Sequence, residues 1–233
     1  MNTAQPDDSA TLFLDSTNQV YFECEKGIEN LDKIIISTSS RYSGLAKSYL
    51  FPILYAYWER FFKLVFSEFY RCYSLKKIGL TSTHPKMAAL RLKRELSSHL
   101  KLHSISQIQE IASHVNVPKA KSFFDYLNTF CDLPVSFNEP DQWVDTESNV
   151  NFYVVRKNCE NIGVDIEKIK SDLEESGIIL ATTLKKLVDA RNDIAHGTTF
   201  KLITSSEWNE IKSSLFSIMT ALQLELYEKL SSE

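Results

Sequence analysis

Turn-forming residues are scarce: only 6 glycines and 6 prolines occur in 233 residues. That is too few for many short strands, and apolar residues recur instead at three- and four-residue intervals, so the expected class is all-α. Cysteine is equally sparse. Cys24, Cys72, Cys131 and Cys159 stand far apart with no CxxC pair, which argues against a disulfide or zinc framework and for free thiols in a reducing compartment. A basic surplus is also missing. With 26 Lys+Arg against 30 Asp+Glu, the molecule as a whole does not attract phosphate, so any RNA contact has to be local. Nor is there an uninterrupted apolar run. The most apolar stretch, Leu50 to Phe69, is broken by Glu59, Arg60, Lys63 and Glu68, each costing about 2.5 to 3.5 kcal/mol at a bilayer centre. Met1 to Ala10 carries Asp7 and Asp8 without a basic region and apolar run, so no secretory signal is expected and the location expected is cytoplasmic, with no membrane partner.

What is present is helical periodicity. Residues 1–17 are polar and expected to be flexible, and residues 18–233 are expected to form a single domain with a helical insertion at about 79–147. A first helix is predicted over Gln19 to Ser37. A second runs from Gly44 to Leu75, with Pro52 either in its first turn or at a kink. Its Leu50, Leu54, Tyr57, Trp58, Phe61, Val65 and Cys72 share one stripe, and Phe61, Phe62, Phe66, Phe69 and Tyr70 read as core rather than as base-stacking platforms. Met87 to Leu100, Ile105 to Val115 and Lys119 to Phe130 read as shorter helices, the middle one opened by a Ser104-Ile105-Ser106-Gln107 capping box. Asp132 to Asn149, with Pro134 and Pro140, reads as an irregular connection. Asn149 to Ile162 is a helix stopped by Gly163, Ile179 to Ala195 is another, and the capping box Thr204-Ser205-Ser206-Glu207 opens a last helix to about Leu230. The sum is a bundle of four long helices with an inserted group of short ones.

The helix ending near Ala195 breaks its own pattern. With Leu184 at zero on a helical wheel, Leu187, Val188, Ile194 and Ala195 lie within about 80 degrees of it, and Arg191 falls in their midst. An arginine stands where a leucine belongs. A guanidinium stays charged and is costly to bury alone, so it needs a carboxylate such as Asp189 or Glu59, a phosphate, or a subunit interface before it. Asn192 and His196 are four residues apart on a neighbouring face. Arg191 and His196 point about 140 degrees apart, so one helix does not converge both on one phosphate, whereas two facing copies do. On spacing alone the plainer reading is structural: Arg191 pairs with a carboxylate, and His196 gains about 0.3 to 1 kcal/mol at a helix C-terminus.

Other features carry less. His99 and His103 stand at i,i+4 with no third ligand at metal-binding spacing, so neither a metal nor a cofactor is expected. The basic run Lys86 to Lys101, with Arg91, Lys93 and Arg94, is either a solvated helix face or a track for an RNA backbone.

Leu187-Val188-Asp189-Ala190-Arg191-Asn192-Asp193-Ile194-Ala195-His196-Gly197 resembles the signature of the HEPN superfamily: an arginine, a polar residue, three more residues and a histidine near the end of a long helix. Tyr55-Ala56-Tyr57-Trp58-Glu59-Arg60-Phe61 resembles the second-helix motif of its RiboL-PSP-HEPN and MAE-type branch, and residues 148–163 resemble the helix before the signature there. The resemblance covers about 45–70 and 148–200 and leaves 79–147 outside. It implies a helical bundle that forms a homodimer, two Arg/His motifs in one cleft, and an endoribonuclease that needs no metal. Many such proteins are toxins or antiviral defence effectors, which implies an antitoxin or companion defence protein as a further partner. With the resemblance, Arg191 is expected to hold the phosphate, His196 to be the general acid or base, and Asn192 to orient the phosphate or the imidazole. Asp193 is a weaker supporting candidate. Glu59 is a carboxylate that orients Arg191 or His196, although on its own spacing it is an exposed glutamate or a partner of Lys63. The alternative is a HEPN module without catalysis that binds RNA or nucleotide, or a scaffold in a larger complex.

Overall fold

The computed structural model describes residues 8–100, 129–131, 133–147, 149–196 and 202–233, the side chains of 95–100 excepted. Helices α1 (Asp8–Ser37) and α2 (Ser43–Leu75) are joined by a 3-10 turn at Ser40–Tyr42. They run antiparallel, with Phe13 against Phe69 and Tyr21 against Phe61 at ring separations of 6.5 and 6.2 Å. A Cβ on Gly27 would lie 2.3 Å from the Tyr57 ring, so a larger residue there would have to displace that ring. Leu54, Trp58, Phe61, Val65 and Cys72 of the α2 stripe are fully covered, while its Leu50 and Tyr57 are half-buried; Phe62, Phe66, Phe69 and Tyr70 are also fully covered. A helix buried on nearly every side is a central one. Pro52 lies inside α2 rather than in its first turn.

Two expectations need correction. Residues 8–17, expected to be flexible, form the start of α1, because Ala10, Phe13 and Thr17 face the core. The polar Thr17 hid that face. Its hydroxyl donates to the Phe13 carbonyl at 2.8 Å and accepts from Gln223 Nε2 at 2.9 Å, a partner supplied by the last helix. The second correction is an unanticipated helix, α5 (Ile166–Glu175), capped by the Asp165 side chain and burying Ile166, Ile169 and Leu173. It is short and highly charged, and its apolar face is only three residues wide.

Further helices with described bounds are α3 (Pro85–Leu100), α4 (Phe152–Ile162), α6 (Leu180–His196) and α7 (Ser205–Ser232). α4 begins with the Asn151 side chain accepting from the Val154 N–H at 3.1 Å and ends at Gly163, whose φ of 76° is the left-handed cap that glycine favours. The Thr204–Glu207 capping box forms with both its hydrogen bonds. α7 runs antiparallel to α1, since Gln223 meets Thr17 while Trp208 Nε1 donates to Asp32 at 2.7 Å. The connection into α4 is irregular as expected, with a 3-10 turn at Pro140–Trp143 and a lone bridge between Gly79 and Pro134. The expected helix at Ile105–Val115, its capping box, and nearly all of Lys119–Phe130 lie outside the described residues. The result is an all-α bundle of four long helices, α1, α2, α6 and α7. Among the described residues no helix is long and apolar enough to cross a membrane, and the four cysteines are unpaired.

One buried amide ties the irregular connection to the bundle. Asn158 of α4, wholly covered, donates to the Asp145 and Val154 carbonyls at 2.7 and 2.8 Å and accepts the Asp145 N–H at 3.1 Å. Asn158→Ala is expected to lower stability by about 1 to 3 kcal/mol through the backbone groups it strands. The measurement is a urea unfolding curve, in which the midpoint should fall with an unchanged slope. An unmoved midpoint would mean that this amide does not anchor the connection.

Candidate active site

The site is assembled on α2. Tyr55 and Trp58, one turn apart and both buried, reach the same residue on the segment entering α4. Trp58 Nε1 donates to the Val150 carbonyl at 2.9 Å, and the Val150 N–H donates to the Tyr55 hydroxyl at 2.8 Å. Both backbone groups of Val150 are thereby satisfied by side chains, which a buried non-helical residue requires. The clamp fixes the start of α4 and holds the Tyr55 ring in place.

Arg191 rests on that ring, its Cζ 5.4 Å from the centroid. This is within cation–π range, worth about 0.5 to 2 kcal/mol depending on desolvation. Its Nη1 donates to Asn192 Oδ1 at 2.9 Å. Leu184, Leu187 and Val188 on the same face of α6 are buried, Arg191 is half-buried, and Ala195 one turn on is exposed. The apolar face of α6 therefore runs past the core, and Arg191 stands where it leaves. Among the described residues Arg191 forms no ion pair. Asp189 pairs with Lys185 at 2.6 Å, and Glu59 makes no ion pair with Lys63 or any other described residue.

Tyr55 also reports its surroundings. Burial pushes its hydroxyl above the usual phenol range; the Val150 N–H bond opposes this, the Glu59 charge adds to it and the Arg191 charge opposes it. Glu59, half-buried one turn beyond Tyr55, is thus in electrostatic reach of the same ring as Arg191. The ring stays a neutral phenol at physiological pH, so it contributes no competing negative charge.

His196 is the last residue of α6 and is exposed. Five residues of helix separate it from Arg191, about 7.5 Å along the axis. At 100° per residue their positions on α6 lie about 140° apart. Asp193 lies on the opposite side of α6 from Arg191 and lines a separate cavity of about 270 Å³, whose apolar floor includes Phe51, Ile194, Ile203 and Ile211. The α3 cations are elsewhere. Arg91 lies over the Phe130 ring at 5.4 Å, and Arg94 lies over Trp143 at 4.5 Å and reaches Glu139 at 3.9 Å, while Lys93 is exposed. Trp143 packs on Tyr70, which is about 22 Å along α2 from Tyr55 at 1.5 Å per residue. The structure therefore brings together Arg191, Asn192 and Glu59 around Tyr55, and leaves Asp193 and the α3 cations apart. His99 and His103 fall outside the described side chains, and among the described residues no group of three metal-binding side chains occurs.

Sequence reasoning did not foresee the part played by Tyr55 and Trp58. Two aromatic residues with polar tips, spaced i,i+3 on an apolar helix, were the available signal.

An all-α bundle in which helix α6 ends in an arginine, a polar residue, three residues and a histidine is that of a HEPN-superfamily domain. The model of the RiboL-PSP-HEPN family matches residues 20–228, and the chain belongs to that family. No curated protein and no solved structure matches the chain. The superfamily is associated with RNA cleavage and RNA binding.

A cation that forms no ion pair among the described residues should matter little to folding. Arg191→Leu is expected to change unfolding free energy by less than about 1 kcal/mol, the scale of an exposed cation–π contact. Thermal unfolding checks this, and a loss several times larger would reveal a structural ion pair.

Proposed function

We propose that this protein is a metal-independent endoribonuclease that works as a homodimer, the two α6 ends sharing one cleft. The observation that carries this reading is Arg191: half-buried, in no ion pair among the described residues, and held on a neutral ring. A cation so placed needs an anion from outside the chain, and a phosphodiester supplies one. The uncovered end of the α6 apolar face, with Ala195 exposed beside Arg191, supports a second copy packing there. Two copies also answer the divergence of Arg191 and His196 within one helix.

The chemistry follows from the residue types. The ribose 2′ oxygen attacks phosphorus and gives up its proton to a base. The 5′ oxygen leaves and takes a proton, and a 2′,3′-cyclic phosphate and a 5′-hydroxyl result. Histidine suits this proton traffic near neutrality, and His196 is the assigned general acid or base. Arg191 holds the nonbridging oxygens and stabilises the charge that grows on them. Asn192 fixes the guanidinium, and Glu59, which forms no ion pair with it, has at most a supporting part. Asp193 has at most a supporting part, and Arg91, Lys93 and Arg94 would meet only an RNA long enough to extend to α3. A toxin or defence effector restrained by a companion protein is the physiological role this activity fits.

A second reading, an RNA-binding HEPN module without catalysis, is favoured by one observation: His196 makes no hydrogen bond to any described residue that would orient its imidazole. The readings separate in a cleavage assay on single-stranded RNA with and without EDTA. The expected result is cleavage that EDTA does not alter, cyclic phosphate ends, and a loss of about 100-fold or more in His196→Ala, with folding and sedimentation unchanged. Cleavage persisting in His196→Ala would remove the site assignment, and RNA binding without shortening would favour the second reading.

A further inference from the structure

We infer that Tyr55 is a positioning residue: its ring fixes the Arg191 guanidinium while leaving the positive charge open to an incoming phosphate. The inference rests on the ribonuclease reading for its meaning, but its geometric part stands without it.

Two physical problems meet at Arg191. A long, flexible side chain has many rotamers and has to be held to act at one point. The usual restraint, a carboxylate, would neutralise the charge and compete with phosphate for the same in-plane N–H groups. An aromatic face avoids both. It attracts the cation through its quadrupole and offers no full negative charge. Tyr55 meets the requirement: its centroid lies 5.4 Å from Arg191 Cζ, and no ion pair holds the guanidinium among the described residues. Asn192 takes one N–H at 2.9 Å, which leaves the rest of a five-donor group for phosphate oxygens.

The platform is itself immobile. The Tyr55 hydroxyl accepts the Val150 N–H at 2.8 Å, and Trp58 one turn on holds the Val150 carbonyl at 2.9 Å. The ring is pinned at its hydroxyl end and at its backbone, and only 1% of the residue is exposed. Its phenol, kept protonated by burial, adds no charge of its own. Through this ring the position of Arg191 is set by α2 and by the entry to α4, neither of which carries a residue of the Arg-to-His signature.

The test separates ring, hydroxyl and charge. Tyr55→Phe keeps the ring and loses one hydrogen bond, whereas Tyr55→Leu removes the π face. By NMR, the Arg191 side-chain resonances should show a ring-current displacement in the wild type and in Tyr55→Phe, and should lose it in Tyr55→Leu. This reading needs no cleavage, so it stands or falls apart from the proposed activity. On RNA, Tyr55→Leu should lower the rate about 10- to 100-fold, the scale of a misplaced transition-state contact, while Tyr55→Phe retains most of it. In an Arg191→Ala background Tyr55→Leu should cost little more, since the two act through one contact. Unshifted Arg191 resonances in Tyr55→Leu, or equal rate losses in both backgrounds, would overturn the inference. If Tyr55→Leu does not fold, Arg191 shifts alike in the wild type and Tyr55→Phe still support the ring contact, and shifts at random-coil values in both overturn it.

Discussion

Arg191 stands one turn short of the helix end, where the apolar face of α6 passes from Val188 out of the core to the exposed Ala195. What holds it is the Tyr55 ring on one side and the Asn192 amide on the other. Neither neutralises it. Everything proposed for this molecule depends on that imbalance, because a cation half removed from water and in no ion pair among the described residues is an unfinished interaction. A second subunit, a phosphate, or both together would complete it.

The means of creating the imbalance lies in α2. A helix with aromatic side chains on nearly every face is costly to place anywhere except at the centre, and α1, α7 and the entry to α4 gather round it. Most of its rings serve only packing: Phe62 lies on Phe66, and Phe69 on Tyr70 and Tyr73. Tyr55 and Trp58 differ in having polar tips that reach Val150. The same two residues thus bury apolar area, satisfy an irregular backbone segment, and present a ring to Arg191. The site is built from the core outward, so its rigidity is that of the core.

Much of this was legible in the residues. The three- and four-residue recurrence of apolar side chains, with few glycines and prolines, gave the all-α class, and the capping residues Gly163 and Thr204 fell where helices end and begin. The misplaced arginine was visible on the wheel. The parts that escaped share one cause. The start of α1 was hidden by Thr17, whose burial depends on Gln223, more than two hundred residues away in sequence. α5 was too short and too charged to stand out from its surroundings. The Tyr55 platform, too, is a contact between residues 55 and 191, which no local pattern encodes.

Periodicity and capping act within a turn or two of helix, so the sequence by itself determined the class, most helix boundaries, and the presence of an arginine at a leucine's position followed by His196. Only the tertiary structure decided what faces that arginine. It excluded Asp189, which is engaged with Lys185, and put an aromatic ring where a carboxylate was the obvious candidate. It also placed Asp193 on the far side of α6 and Arg94 beside Trp143. Such choices belong to packing: which side chains meet across helices depends on how every helix is seated on α2, a property of the whole bundle and not of any segment.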